Sequence, residues 1–221
     1  MKGWLGEKLT ALGIWMHLDK ETYRRFHNVI VPARNGTTQI DHVIVSPFGI
    51  FVVETKNYQG WIFGSADQAQ WTQSIYGKKH RFQNPLRQNY RHIKCLSDYL
   101  DLPEDRFHSV VFFIGDCKLK TELPANVMTS GLSGYIKRHT ALILDQDAIA
   151  RTIARLSGLK EDPSLTNRNH LASLRERHTS DTICPKCGAD LVQRTVRNGP
   201  RAGQTFIGCS AYPKCRFTRS N

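Results

Sequence analysis

The chain has 221 residues, 40% apolar and 10% aromatic, with 31 Lys or Arg against 19 Asp or Glu for a formal charge of +12. That length suits one well-packed domain plus a small module. Its apolar stretches fall short of the roughly 18 to 20 residues that span a bilayer, which argues against membrane insertion, while the charge favours a polyanionic partner, nucleic acid first, because each cation laid on a phosphate releases a condensed counterion.

Residues 4–25 read as a helix, with Trp4, Ala11, Ile14, Trp15 and Leu18 in one stripe. Thr10 and His17 interrupt the apolar run and no small-residue cleavage site follows it, so we read it as part of the mature protein rather than a leader. Glu7 falls inside that stripe, where burial requires a metal or a partner, although an acid in a first helical turn is also favoured by the macrodipole. Residues 39–45 and 50–56 are rich in Val and Ile and flank Ser46-Pro47-Phe48-Gly49, a type I turn signature, which predicts a β-hairpin.

Glu54 and Lys56 leave the same face of the second hairpin strand, after an apolar run that marks the strand as central. A charged pair there fits phosphodiester hydrolysis, in which carboxylates hold Mg²⁺ (or Mn²⁺) and a lysine orients the attacking water or stabilises developing charge. Asp41 lies on the partner strand. A two-residue loop at Pro47-Phe48 sets it opposite Glu54, whereas a three-residue loop with Gly49 in a bulge sets it opposite Thr55 and turns it to the other face. His42 is more readily a packed neighbour than a general base.

Residues 61–71 predict a further short strand or loop, and 77–82 a basic connection. Asn84-Pro85 predicts an N-cap and first helical position, followed by a helix with Leu86, Tyr90, Ile93 and Leu100 on one face and Arg87, Arg91 and Lys94 on another. Lys78, Lys79, Arg81, Arg87, Arg91 and Lys94 form a basic run without an acid, and the first five are candidate nucleic-acid contacts. Residues 109–115 (SVVFFIG) predict a strand buried on both faces in the sheet centre, and 146–156 a closing helix. The expected domains are 1–160, a polar linker at 161–181 with at most a short helix, and a module at 182–221.

Cys184 and Cys187 are separated by two residues, Cys209 and Cys215 by five, with twenty-one residues between the pairs. Paired cysteines without a secretory signal point to metal and to a reducing, cytoplasmic compartment, and four thiolates make a closed tetrahedral site for structural Zn²⁺. So small a module needs the metal for much of its folding free energy. Arg194, Arg197, Phe206, Tyr212, Lys214, Arg216, Phe217 and Arg219 mix cations with aromatics, as base-stacking surfaces do. Cys95 and Cys117 read as buried apolar side chains.

The segment 184–218, with its Cys-Pro-x-Cys-Gly opening, Phe-Ile-Gly-Cys-Ser block and Tyr-Pro-x-Cys pair, resembles the C-terminal zinc fingers of bacterial type I topoisomerases. That resemblance implies contact with single-stranded DNA. Gly6-Glu7, QIDHVIVSPFGIFVVETKNYQG at 39–60, Trp71 and NPLRQ at 84–88 resemble the nuclease-related domain, abbreviated NERD, over about residues 1–120. This implies a restriction-endonuclease-like α/β fold, a mixed sheet flanked by helices. It implies Asp41 and Glu54 as metal ligands, Lys56 as the catalytic lysine, Glu7 as a supporting acid and Gln88 as a conditional contact. The leading expectation is a Mg²⁺-dependent deoxyribonuclease guided by its finger. The alternatives are a DNA-binding or adaptor protein with little catalysis, or RNA as substrate.

Overall fold

A computed structural model of the chain describes residues 18–213 and 215–220. The expected hairpin is present as β2 (Gly36–Ser46) and β3 (Gly49–Asn57), paired from Ser46↔Gly49 to His42↔Val53. Pro47 and Phe48 therefore form a two-residue loop. Ser46 Oγ closes it, donating to the Gly49 carbonyl at 3.1 Å and accepting from Phe48 N at 3.3 Å.

The helix expected over 4–25 is corrected at its C-terminal end. The chain turns at 20–22, with Thr22 N donating to Asp19 Oδ1 at 2.7 Å, and enters β1 (Arg24–Ala33). The buried Val29-Ile30-Val31 run favours a pleated strand over a helix. Residues 4–17, with Glu7, and Lys214 lie outside the described residues.

A five-stranded sheet has the order β1-β2-β3-β7-β9, where β7 is Phe107–Ile114 and β9 is Val127–Met128. β7 runs parallel to β3 from Ile50↔Phe107 to Asn57↔Ile114, an interior position that matches its apolar sequence. A second, four-stranded sheet has the order β6 (Lys78–Gln83), β5 (Gln70–Ile75), β4 (Gly60–Phe63), β8 (Cys117–Leu119). The basic connection expected at 77–82 is thus corrected to an edge strand. Its ladder to β5 uses backbone groups, and lysines suit an edge because they oppose further pairing.

Helix α1 (Pro85–Leu100) starts where Asn84-Pro85 predicts, with Asn84 Oδ1 accepting from Leu86 N at 2.9 Å. The Asn84 amide also donates to the carbonyls of Ser65, Ala66 and Gln68, so one buried side chain fixes both the helix start and the β4–β5 loop. The main sheet is covered on both faces. One face packs Ile44, Phe51, Val53 and Val110 against Leu18, Tyr23 and α2 (Leu132–Lys137). The other packs Val111 and Phe113 against Ile62, Trp71 and Cys117 of the second sheet. Helix α3 (Gln146–Glu161) closes this part, capped by Asp145 on Ala148 N at 2.7 Å. These are the layers of a mixed α/β fold with helices flanking the sheets.

The chain divides into two compact units, residues 1–29 with 39–162 and residues 30–38 with 163–221. In the second, the 161–181 segment carries a 13-residue helix, α4 (Asn167–Thr179). Thr37 Oγ1 bonds to His170 Nδ1 at 2.7 Å and Ser173 Oγ at 2.8 Å, and buried Arg177 donates to the carbonyls of Asn35 and Thr37. The C-terminal module is a three-stranded antiparallel sheet of β10 (Leu191–Thr195), β11 (Thr205–Cys209) and β12 (Thr218–Ser220). Among the described residues no helix is long and apolar enough to cross a membrane.

Candidate active site

The two-residue turn sets the hairpin register, and it leaves Asp41 near enough to Glu54 for the charge of one carboxylate to act on the other. Asp41 lies one residue beyond the His42↔Val53 pair, and its Oδ2 accepts from Thr55 N at 2.8 Å and from Thr55 Oγ1 at 2.7 Å. Glu54 is only 2% exposed. Its Oε1 receives Lys56 Nζ at 2.5 Å, and the same ammonium donates to Gln88 Oε1, one turn into α1, at 2.9 Å. Glu54 Oε2 lies 3.4 Å from His92 Nδ1 and accepts no hydrogen bond among the described residues. Asp41, Glu54, Lys56 and Gln88 are therefore brought together at one end of β3.

Burial pushes the Glu54 carboxyl up to about 7, opposed by Lys56 and reinforced by the neighbouring Asp41. Two carboxylates side by side, one of them dry and with an oxygen left over, form an environment that a divalent cation would relieve. The donor set is hard oxygen, suited to Mg²⁺ or Mn²⁺.

Two residues that sequence reasoning missed complete the setting. Buried Asn89 donates to the Val52 carbonyl at 2.8 Å, Ser109 Oγ at 2.9 Å and the Val110 carbonyl at 3.1 Å. It fastens α1 across β3 and β7 and thereby holds Gln88 and His92 over Lys56 and Glu54. The signal was available, since Asn89, His92, Ile93, Leu96 and Leu100 share helical spacing, but Asn and His do not read as a buried stripe. Tyr90, assigned to the packed face, is 57% exposed. His42 faces away from the site and shares a 2.7 Å Nδ1 contact with His27, and burial, with His27 adding, holds it down at about 3. It is the packed neighbour that was expected.

The basic residues fall in several places. Lys78, Lys79 and Arg81 are exposed on β6, Arg87 donates to the Asp67 carbonyl from the first turn of α1, and Arg91 lies one turn further on. In the C-terminal module Arg197, Arg216 and Tyr212 are exposed. Phe206 is half-buried, as is Arg194, which donates to the Cys209 carbonyl at 3.2 Å and lies 5.8 Å from the Tyr212 ring. Phe217 packs on the cysteine cluster and so has a structural part to play.

The four Sγ atoms of Cys184, Cys187, Cys209 and Cys215 lie within 4.8 Å of one another, with Cys184–Cys215 at 3.8 Å and Cys187–Cys209 at 3.3 Å. A tetrahedral zinc with bonds of about 2.3 Å places its sulfurs about 3.8 Å apart, so these residues fit that ion. Cys95 is half-buried and Cys117 buried in the second sheet's core.

Comparison with known proteins matches residues 2–114 to the family described as nuclease-related domain, and residues 181–221 to the topoisomerase DNA binding C4 zinc finger. An uncharacterized protein of Bacillus anthracis is 48% identical over 120 residues, covering 54% of this chain and 56% of that protein. DNA topoisomerase 1 of Methanothermobacter thermautotrophicus is 51% identical over 37 residues, 17% of this chain and 4% of the enzyme. Uncharacterized protein YrdD of Escherichia coli is 53% identical over 36 residues, 16% of this chain and 17% of its own length. The chain thus spans about half of the first relative and a small part of the other two. No solved structure gives a significant match.

Proposed function

We propose, from the premise that this chain belongs to the nuclease-related domain family, that it is a metal-dependent deoxyribonuclease whose C-terminal zinc finger binds DNA, preferentially single-stranded or junction-containing. The carrying observation is the buried Glu54, bonded to Lys56 and raised in pKa in part by the charge of Asp41 on the paired strand. Asp41 and Glu54 would hold Mg²⁺ or Mn²⁺, which when bound polarises the scissile phosphate and lowers the pKa of its water.

The chain's own groups then have distinct parts. Asp41 is kept in place by its two bonds to Thr55, both on Oδ2, which leaves its other oxygen for ligation. Lys56 is aimed by Gln88 and places a positive charge beside Glu54, where it can orient the water or meet the charge that develops on the phosphate. Glu7 is a proposed supporting acid. Lys78, Lys79, Arg81, Arg87 and Arg91 on the nuclease domain, and Arg194, Arg197, Phe206, Tyr212, Arg216 and Phe217 on the finger, are proposed to meet DNA.

The test is cleavage of supercoiled, linear duplex and single-stranded DNA, with RNA in parallel, in Mg²⁺, Mn²⁺ or Ca²⁺. Asp41→Ala and Glu54→Ala should abolish cutting and Lys56→Ala most of it. DNA affinity, which comes from basic and aromatic residues elsewhere, should stay within a few-fold. Ca²⁺ should support binding but little chemistry. If wild type cuts nothing, the DNA-binding or adaptor reading takes over; if Glu54→Ala cuts as wild type does, the site is wrongly assigned.

A further inference from the structure

We infer that the open face of the four-stranded sheet is a docking platform for single-stranded DNA, with Trp61 as its base-stacking residue. The inference rests on the nuclease reading for its choice of DNA.

Ladder partners share a face. Trp61 pairs with Ser74 and with Lys118, and Ser74 pairs with Lys79. In the next row on the same face, Phe63 pairs with Thr72 and Thr72 with Arg81. The alternate rows carry Ile62, Trp71, Phe82, Leu119 and Cys117, which pack inward on Val111 and Phe113. The face with Trp61 is therefore turned away from that core, and Trp61 is 51% exposed while its neighbour Ile62 is fully buried. The exposed aromatic does not stand alone. Lys120 Nζ lies 4.6 Å from the centre of its ring, and Phe63 meets it edge-on at 6.5 Å.

Charge identifies the occupant. Lys79, Arg81, Lys118 and Lys120 surround the two aromatics, and the four strands contain no Asp or Glu. None of the four cations forms an ion pair among the described residues. A sheet face with open ring area inside a cationic frame matches a polyanion whose bases are free to stack, which is single-stranded rather than duplex nucleic acid. The face also sorts the basic strand, because Lys78 pairs with Ile75, in the alternate rows, and so stands outside the platform. Trp61 follows Lys56 by five residues, so the two are separated by at most roughly 18 Å of chain. A strand stacked on Trp61 reaches the Glu54 end of β3 within a few nucleotides.

The experiment uses full-length, zinc-loaded protein with Ca²⁺ in place of Mg²⁺, so that binding is read without cleavage. Probes are labelled oligo(dT), the same length of abasic DNA, and oligo(U). Trp61→Ala should weaken oligo(dT) binding roughly tenfold, Trp61→Phe should keep most of it, and neither should change affinity for the abasic strand. Replacing Lys79, Arg81, Lys118 and Lys120 by Ala should reduce the slope of log K against log salt by about 3. Melting curves check folding. Should Trp61→Ala fail to fold, Lys118→Glu with Lys120→Glu takes its place, with an expected loss of at least tenfold. If wild type binds oligo(dT) and the variants bind it equally well, the platform is overturned and the nuclease reading stands. If wild type binds no DNA, both fall. If the Trp61 effect is larger on oligo(U) than on oligo(dT), the assignment to DNA is overturned.

Discussion

Glu54 enters its cluster from a strand whose neighbours are already packed, whereas the four cysteines enter theirs from loops and from the end of β11, around a three-stranded sheet with almost no other core. Val52, Val53, Val110 and Val111 are fully buried around Glu54, and the fold of that region stands on apolar contacts. In the finger, the buried cluster is Cys184, Cys209 and Cys215 with small contributions from Ala189, Leu191, Ala211 and Phe217. Both regions gather groups that conflict without a cation. In the first, a rigid scaffold holds the conflict in place; in the second, the cysteine cluster is the core, and a metal held there would also fold the module.

The sharpest way to break this contrast is to remove the metal from the finger. Stripping zinc with a chelator, or Cys209→Ser, should unfold residues 182–220 with an effect on the order of 10 kcal/mol. Slow amide exchange in β3 and β7 should persist. Exchange that becomes fast in both regions together would show that they are not separately built.

A smaller effect tests whether the scaffold really stores the conflict at Glu54. Burial raises its carboxyl from 4.5 to about 7, so the folded state disfavours the ionised form. The stabilisation that this gives to the protonated form is complete below pH 4.5 and is lost as pH rises through 7, amounting to about 3 kcal/mol. In buffer without added divalent ions, Glu54→Gln should therefore gain on wild type in denaturant midpoint between pH 5 and 8. Added Mg²⁺ should reverse the difference. A gap that does not vary with pH would mean that Glu54 is solvated.

Asn89→Ala sets the lower end of the scale. It leaves the Val52 and Val110 carbonyls and Ser109 without the amide, and should cost about 2 kcal/mol. Because it also loosens α1 over Lys56, cleavage should fall further than the loss of folded protein explains, which activity per folded molecule measures. Equal activity per folded molecule would make Asn89 a fold residue alone.

Much of the carboxylate site was legible because its elements announce themselves locally. Ser-Pro-Phe-Gly gave the turn, period-two alternation placed Glu54 and Lys56 together, Asn84-Pro85 started the helix, and SVVFFIG marked the strand beside β3. The cysteine spacing was plainer still, since ligand geometry leaves few other uses for it. Asn89 and His92 were hidden because their burial depends on which helix face meets β3 and β7, a tertiary fact. Strand β6 was hidden because its side chains are basic while its pairing is a property of the backbone. The register itself was left open by the sequence, because loop length is decided by how Ser46 and Gly49 pair and residue type alone permits two answers.

That small turn has a consequence for how the gene can vary. Pairing across a hairpin has a parity: side chains an odd step apart belong to opposite faces. Asp41 falls next in register toward Glu54, one step past the His42↔Val53 pair, because two residues, Pro47 and Phe48, separate Ser46 from Gly49. A deletion or insertion of one codon that kept the turn tight would leave every apolar residue in a strand and still set Asp41 against a side chain of the wrong face. Changes of two codons keep the parity. The length of this half-buried turn, some five residue pairs from the carboxylates, thus acts as a reading frame for the proposed metal site, and should tolerate conservative substitution at Pro47 or Phe48 far better than single-codon gain or loss.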